Sequence, residues 1–478
     1  MPKLRTRAAL TLMAAAVVPA LAFTPAAPLA PVGSSPAVAP TATAGATTPQ
    51  ATATPADARP TDPTGVLASD NMELLTSLPE PGAIGAHFRD EFMFVTSVSG
   101  LSVYDVSDAV APVEVGRLPL PHFENEDVDL GGDILLISND AAESYGMLYV
   151  IDISDPTAPA LRSMYDTGQT VVTGATLGGP GHTTSCINDC QFAWMTEPGG
   201  YLVIDLRDPD APVAIGHQPT PAGGSLGITH DVQVDADNIA WTVGFGGTAA
   251  FQVPADYAGE ELQPLLTTGD AAQSRYAESF GTDDGSGVND YIHHNSLRPA
   301  GSDTVYITEE DYNRPGCRGA GSFQRWQLPM AEDADGVMRP TGEDLAFRDL
   351  WVTELLAETA APAAMCSAHY FDIRDGLVAQ GWYEQGLRLL DVSGDQIRQV
   401  GFWVPPTAMT WAAYFPPTDA TGQVVYAFDA THGIDVLRID LGDGGVAGAA
   451  TVVAPIREQW WLTGPAAAPG PFGYACRL

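Results

Sequence analysis

Four segments of this sequence are variations on one short phrase. Gly100-Leu-Ser-Val-Tyr-Asp-Val-Ser-Asp108 is followed by Ala111-Pro112 and Val115-Gly116. Leu148-Tyr-Val-Ile-Asp-Ile-Ser-Asp-Pro156 precedes Ala158-Pro159, and Tyr201-Leu-Val-Ile-Asp-Leu-Arg-Asp-Pro209 precedes Ala211-Pro212 and Ile215-Gly216. Gly386-Leu-Arg-Leu-Leu-Asp-Val-Ser393 returns later, before Val400-Gly401. Each reads as a buried strand, a turn closed by Asp and Pro, and a second strand. The marker aspartates are Asp105, Asp152, Asp205 and Asp391. Weaker copies place Gln252, Trp326 and Arg438 at the same offset after a glycine. Successive markers lie 47, 53, 47, 74, 65 and 47 residues apart. Four strands and their turns need roughly 40–50 residues, so the two long gaps are insertions and seven markers predict seven blades. The fold expected is all-β, a seven-bladed β-propeller. Because each repeat extends one structure, a length of 478 residues does not here imply several domains.

Ring closure is also readable. Met72-Glu-Leu-Leu-Thr-Ser-Leu-Pro79 has the pattern of a blade's last strand, as in Val113-Glu-Val-Gly-Arg-Leu-Pro119, yet it precedes the first blade. The seventh copy lacks a clear fourth strand. An N-terminal strand closing the last blade satisfies both and removes an open edge. These phrases closely resemble the LVIVD-repeat family of exported propeller proteins, over about residues 70 to 440. The three N-terminal copies carry the resemblance best, and it implies a secreted propeller.

The ends of the chain read differently. Lys3, Arg5 and Arg7 precede an apolar run from Ala8 to Phe23 that is short for a membrane span, with Ala20-Leu21-Ala22 offering a cleavage site. The expected partition is a signal peptide at 1–23, a disordered Pro/Ala/Thr-rich linker at 24–66, the propeller at 67–441 and a C-terminal extension at 442–478. The protein is expected to be secreted, extracellular or cell-wall associated, with no membrane span after signal removal. It is acidic: Asp plus Glu number 59 against 21 Lys plus Arg, a formal charge of −38. Such a surface repels nucleic acid and favours cations. Lys3 is the sole lysine, so a mature chain has none for Schiff-base or phosphate-loop chemistry.

Counting strands outward from the axis, inner-strand starts and second-to-third-strand loops share one face. Histidines gather at the inner-strand starts: His182, His230, His293 or His294, and His369. Glu126 holds that place in the second blade and Trp411 in the seventh. Glu310 lies in a loop of the same face. Imidazoles and carboxylates converging there suit a divalent transition metal: zinc, copper, iron or nickel, with manganese admitted by the glutamates. The alternative is architectural, since a repeat also duplicates residues that only hydrogen-bond a neighbouring blade. Gly223-Gly-Ser-Leu-Gly227 fits G-x-S-x-G but lies in a link between blades, and two short acidic loops lack the distal Glu of a calcium site. Among five cysteines, Cys186 and Cys190 can meet only across a turn, because extended residues at that spacing lie about 13 Å apart. Cys317 and Cys366 fall on one face and can pair, leaving Cys476. Two functions fit: a ligand- or protein-binding module that takes an unidentified small molecule or protein on the channel-mouth face, and a metal-dependent oxidoreductase or hydrolase using the channel histidines. The first leads, because no complete catalytic constellation is visible.

Overall fold

The computed structural model describes residues 65–120, 128–139, 147–166, 181–268, 291–311, 321–334, 336–353 and 367–452. All lie in one compact unit, Asp57–Leu478. The expected signal peptide, the expected linker up to residue 64, Glu126, and Cys317, Cys366 and Cys476 with their expected pairing lie outside the described residues.

Seven antiparallel sheets follow one another. Inner to outer, blade 1 is Ala83–Arg89, Phe92–Ser97, Gly100–Asp105 and Val113–Pro119. Blade 2 is Val128–Gly131, Ile134–Asn139, Met147–Asp152 and Ala160–Asp166, and blade 3 is Thr184–Ile187, Phe192–Glu197, Gly200–Asp205 and Val213–Pro219. Blade 4 comprises Thr229–Val234, Ile239–Gly244, Gly247–Gln252 and Leu266–Thr267, and blade 5 Tyr291–Leu297, Thr304–Asp311, Phe323–Gln327 and Ala346–Trp351. Blade 6 is Phe371–Arg374, Leu377–Gly381, Leu387–Asp391 and Arg398–Val404. Blade 7 is Thr410–Tyr414, Val424–Asp429 and Gly433–Ile439, with Met72–Leu78 as its outer strand.

The repeated apolar runs have a direct cause. A strand's side chains alternate between the two faces of its sheet, and here both faces are buried against neighbouring blades. The core accordingly falls into layers between sheets. Leu101, Val103, Leu135 and Tyr149 fill the layer between blades 1 and 2. Leu136, Val150, Ala193 and Ile204 fill the next. The ring closes where Phe428 and Val436 of blade 7 meet Met93 and Val95 of blade 1.

The marker position is a turn device. Asp105, Asp152, Asp205 and Asp391 accept the backbone N–H two residues on, from Ser107, Ser154, Arg207 and Ser393. The intervening residue tucks into the core and bonds back to the residue before the second strand, as Val106 N–H does to Glu91 O. In blade 5 that role falls to Leu328, bonded to Asp303 O, and Thr304 pairs with Gln327. The marker there is therefore Gln327 rather than Trp326, because Gly321 precedes the turn by one residue more than its counterparts.

A second device repeats on the inner strands. Asp129 accepts from Leu130 N–H with one oxygen and from Ser185 and Cys186 of blade 3 with the other. Asp231 links Val232 to Asn295 of blade 5, and Asp372 links Ile373 to Phe415, just beyond the inner strand of blade 7. One carboxylate thus serves its own strand and clips the next blade.

The N-terminal segment does more than expected. Met72–Leu78 pairs antiparallel with Gly433–Ile439 and completes the last blade. Before it, Leu67–Ala68 pairs with Trp403 and Val404 as a fifth strand on blade 6. At the other end, Arg398 donates to the carbonyls of Val446, Ala447 and Ala449, and Val452 exchanges bonds with Gln399. The extension as far as Val452 is thus seated on blade 6. The long insertions do not all lie on one face: the hairpin Met330–Glu332 with Met338–Pro340 joins the third and outer strands of blade 5, on the face opposite the inner-strand starts. Its turn includes Asp333, which is bound by Arg339. Cys186 and Cys190 are disulfide-bonded across the inner turn of blade 3, with Cα atoms 4.3 Å apart. No helix among the described residues is long and apolar enough to cross a membrane.

Candidate metal centre

The inner strands of blades 3 to 6 each deliver a histidine to the channel. His182 lies two residues before Thr184–Ile187, His230 is the second residue of its strand, His294 is the fourth of its strand, and His369 lies two before Phe371–Arg374. All four are fully buried. Their rings form a consecutive row. Centroids are 4.5 Å apart from His182 to His230, 4.0 Å from His230 to His294 and 4.0 Å from His294 to His369. Glu310, at the end of the second strand of blade 5, is buried beside them.

His230, His294 and Glu310 offer three ligand atoms that all lie within 4.8 Å of one another. Glu310 Oε2 is 3.3 Å from His294 Nε2 and 3.9 Å from His230 Nε2. Bonds of about 2.0–2.2 Å to one ion place neighbouring donors roughly 3–4 Å apart, so these separations fit a shared metal. His182 Nε2 is 3.0 Å from His230 Nε2. His182 thus hydrogen-bonds His230 and flanks the convergent three.

Backbone carbonyls orient the rings. His230 Nδ1 is 2.9 Å from His294 O, and His369 Nδ1 is 2.8 Å from Trp411 O. A carbonyl only accepts, so each Nδ1 carries the proton and each Nε2 keeps its lone pair. Burial pushes the pKa of His294 well below the usual value, and the neighbouring His230, His369 and His182 push it the same way. A neutral imidazole is the form that ligates.

Glu310 is held from its other side. Its Oε1 accepts from the hydroxyl of Tyr383. Tyr383 is fully buried, with φ at 38°, a left-handed conformation that costs a bulky residue of order 1–3 kcal/mol. Reciprocal bonds of 2.9 Å with Thr410 and a 3.0 Å bond from Gly386 N–H keep it there. Gly386, itself at φ 71°, has no room for a Cβ, which would lie 2.2 Å from Trp403 O.

The row brings together His182, His230, His294, His369 and Glu310. It does not include His293. That side chain leaves the opposite face of its strand, bonds Thr248 Oγ1 at 2.7 Å and lies edge-on to Trp326. Burial lowers its pKa to about 3. Tyr383 escaped the sequence reading, though a signal exists. Thr308 and Gly381 are the last residues of their second strands to pair with a third strand, and Glu310 and Tyr383 each lie two residues beyond. The two therefore hold equivalent positions in adjacent blades.

Residues 141–167, which include the third and outer strands of blade 2, match the LVIVD repeat. That match sits inside a ring of seven such sheets. The chain carries an LVIVD repeat. No functionally curated protein matches it by sequence. Among solved structures, the propeller is similar to a protein from Lactobacillus plantarum at 11% identity, over 78% of this chain and 95% of that one, with a TM-score of 0.50. It is also similar to the periplasmic gluconolactonase of Pseudomonas aeruginosa at 14% identity, over 69% of this chain and 86% of that one, with a TM-score of 0.48. At such identities the likeness is one of fold.

Proposed function

We propose that this LVIVD propeller is an exported metal-binding protein that holds one divalent transition metal in its channel on His230, His294 and Glu310, flanked by His182 and His369. The observation that carries the reading is the convergence of two imidazole nitrogens and one carboxylate oxygen within 4.8 Å of one another. Donors of this kind suit zinc, iron, copper, nickel or manganese. The formal charge of −38 favours cation capture. Export is supported by the basic start and apolar run of residues 3–23 and by the disulfide between Cys186 and Cys190.

Three protein donors leave coordination positions for a small molecule, so the metal serves as the anchor of a ligand-binding module. The same count of three favours a second reading as a metal-dependent oxidoreductase or hydrolase, since catalytic sites keep a position open where structural sites close it. Metal analysis of the native secreted protein tests the common core of both readings. One metal per chain is expected, lost in His230→Ala and His294→Ala and kept in His217→Ala. A native protein without stoichiometric metal that also declines zinc, manganese, iron and copper would return the histidines to an architectural role.

A further inference from the structure

Glu310 has two oxygens and divides them. Oε2 faces the imidazoles, at 3.3 Å from His294 and 3.9 Å from His230. Oε1 accepts from Tyr383, which comes from the next blade. A carboxylate free to rotate can bind a metal through one oxygen or both. One whose second oxygen is taken by a strong donor presents one. We infer that Tyr383 is a positioning residue that holds Glu310 in single-oxygen coordination and so keeps a position on the metal open. The inference rests on the metal-binding reading above.

Three features support it. First, the hydroxyl and the carboxylate are both buried, where a charge-assisted bond is strong and no bulk water competes. Second, the backbone at residue 383 is over-determined. Tyr383 is held at a positive φ by its paired bonds to Thr410 and by the turn to Gly386. Strained bulky residues persist only where the surroundings enforce them, and they gather at functional sites. Third, the ring packs into the site itself, 4.8 Å from His369 and 5.9 Å from Trp411. The hydroxyl cannot swing away without displacing those rings.

The test uses the mature chain, stripped of metal and reloaded with cobalt(II), whose visible bands report coordination number. Wild type should take up one cobalt with the intense bands of a low-coordinate site. Tyr383→Phe should still bind one cobalt, with affinity about 10–100-fold weaker and with weaker, shifted bands as Glu310 turns to use both oxygens. In a Glu310→Gln background the further effect of Tyr383→Phe on affinity should vanish, because the tyrosine acts through that carboxylate. Tyr426→Phe is the control. It removes an equally buried hydroxyl, bonded to Ala109 O in the turn between the third and outer strands of blade 1, and should lower melting without changing affinity or spectrum. Wild-type affinity and bands in Tyr383→Phe would overturn the inference while leaving the metal site standing. Failure of the wild-type chain to take up cobalt would remove the metal reading and this inference together.

Discussion

Asp372 shows how one carboxyl can act against the trend of its neighbours. Burial pushes its pKa from 3.8 up to about 6, against the opposing pull of the Phe415 and Ile373 N–H groups and of Arg374 and His87. The folded state therefore binds this proton more tightly than the unfolded chain between pH 3.8 and 6. Across that window the group makes stability fall as pH rises. The half-buried marker aspartates of blades 1 to 3 work in the other sense. Asp105, Asp152 and Asp205 are held below the usual carboxylate value, chiefly by side-chain bonds from Ser107, Ser154 and Arg207, so their contribution is lost as pH falls. Asp372→Asn keeps one acceptor and points a donor at the other N–H, which should cost about 1–3 kcal/mol. Asparagine resembles the protonated acid, but only wild type weakens on ionisation. The cost should therefore be larger at pH 4 than at pH 7 in urea titrations, and an equal cost at both would contradict the shifted pKa. The channel histidines were legible for a related reason: a residue at a recurring inner-strand start must face the axis in every blade. His293 and His294 were not separable, because adjacent strand residues face opposite ways and only pairing decides which is inward. Tyr383 was invisible because its equivalence to Glu310 is a matter of register and not of residue type.

At the scale of strands, the sequence disclosed what depends on burial on both faces and hid what depends on pairing alone. Leu148-Tyr-Val-Ile151 announces a strand between two blades because every side chain is apolar and fully buried. The blade-5 marker slipped by one residue because a glycine was taken as the start of the turn, whereas the pairing of Thr304 with Gln327 sets it. Leu67–Ala68 had no pattern to find, being two residues long and half exposed. The closing strand was legible because Leu74, Thr76 and Leu78 repeat the form of other outer strands, and it pairs along its whole length with Gly433–Ile439. Two truncations should separate these roles. A chain beginning at Asp70 loses the short fifth strand and the bonds of Ser69 to Phe402, and its melting temperature should drop modestly. A chain beginning at Glu80 exposes the edge of blade 7, strands Asp435 without its bond from Ser77, and should lose a cooperative transition in calorimetry. Similar melting of both chains would refute closure by Met72–Leu78.

The whole ring links the site to stability. The three convergent donors come from blades 4 and 5, with His182 of blade 3 and His369 of blade 6 beside them, so no single blade or hairpin can assemble the centre, and the unfolded chain has no counterpart to it. Anything bound only by the folded state stabilises it by mass action, about 2.7 kcal/mol when the ligand is at 100 times its dissociation constant. Without metal, four imidazoles and a carboxylate are packed together away from water, an arrangement that disfavours charge on His294 and leaves His182 hydrogen-bonded to His230. Adding the native metal should therefore raise the melting temperature by a few degrees, the increase growing with the logarithm of free metal, and a chelator should reverse it. His294→Ala should flatten that dependence, because it removes a donor of the convergent three. Truncation before Glu80 acts on blade 7, which supplies the carbonyl of Trp411 but no ligand of the three. Any metal dependence that survives in that weakened chain should therefore keep its slope. Calorimetry across a series of buffered metal concentrations reads both quantities at once. A wild-type melting temperature indifferent to zinc, manganese, iron and copper would show that the ring gathers its histidines for packing alone.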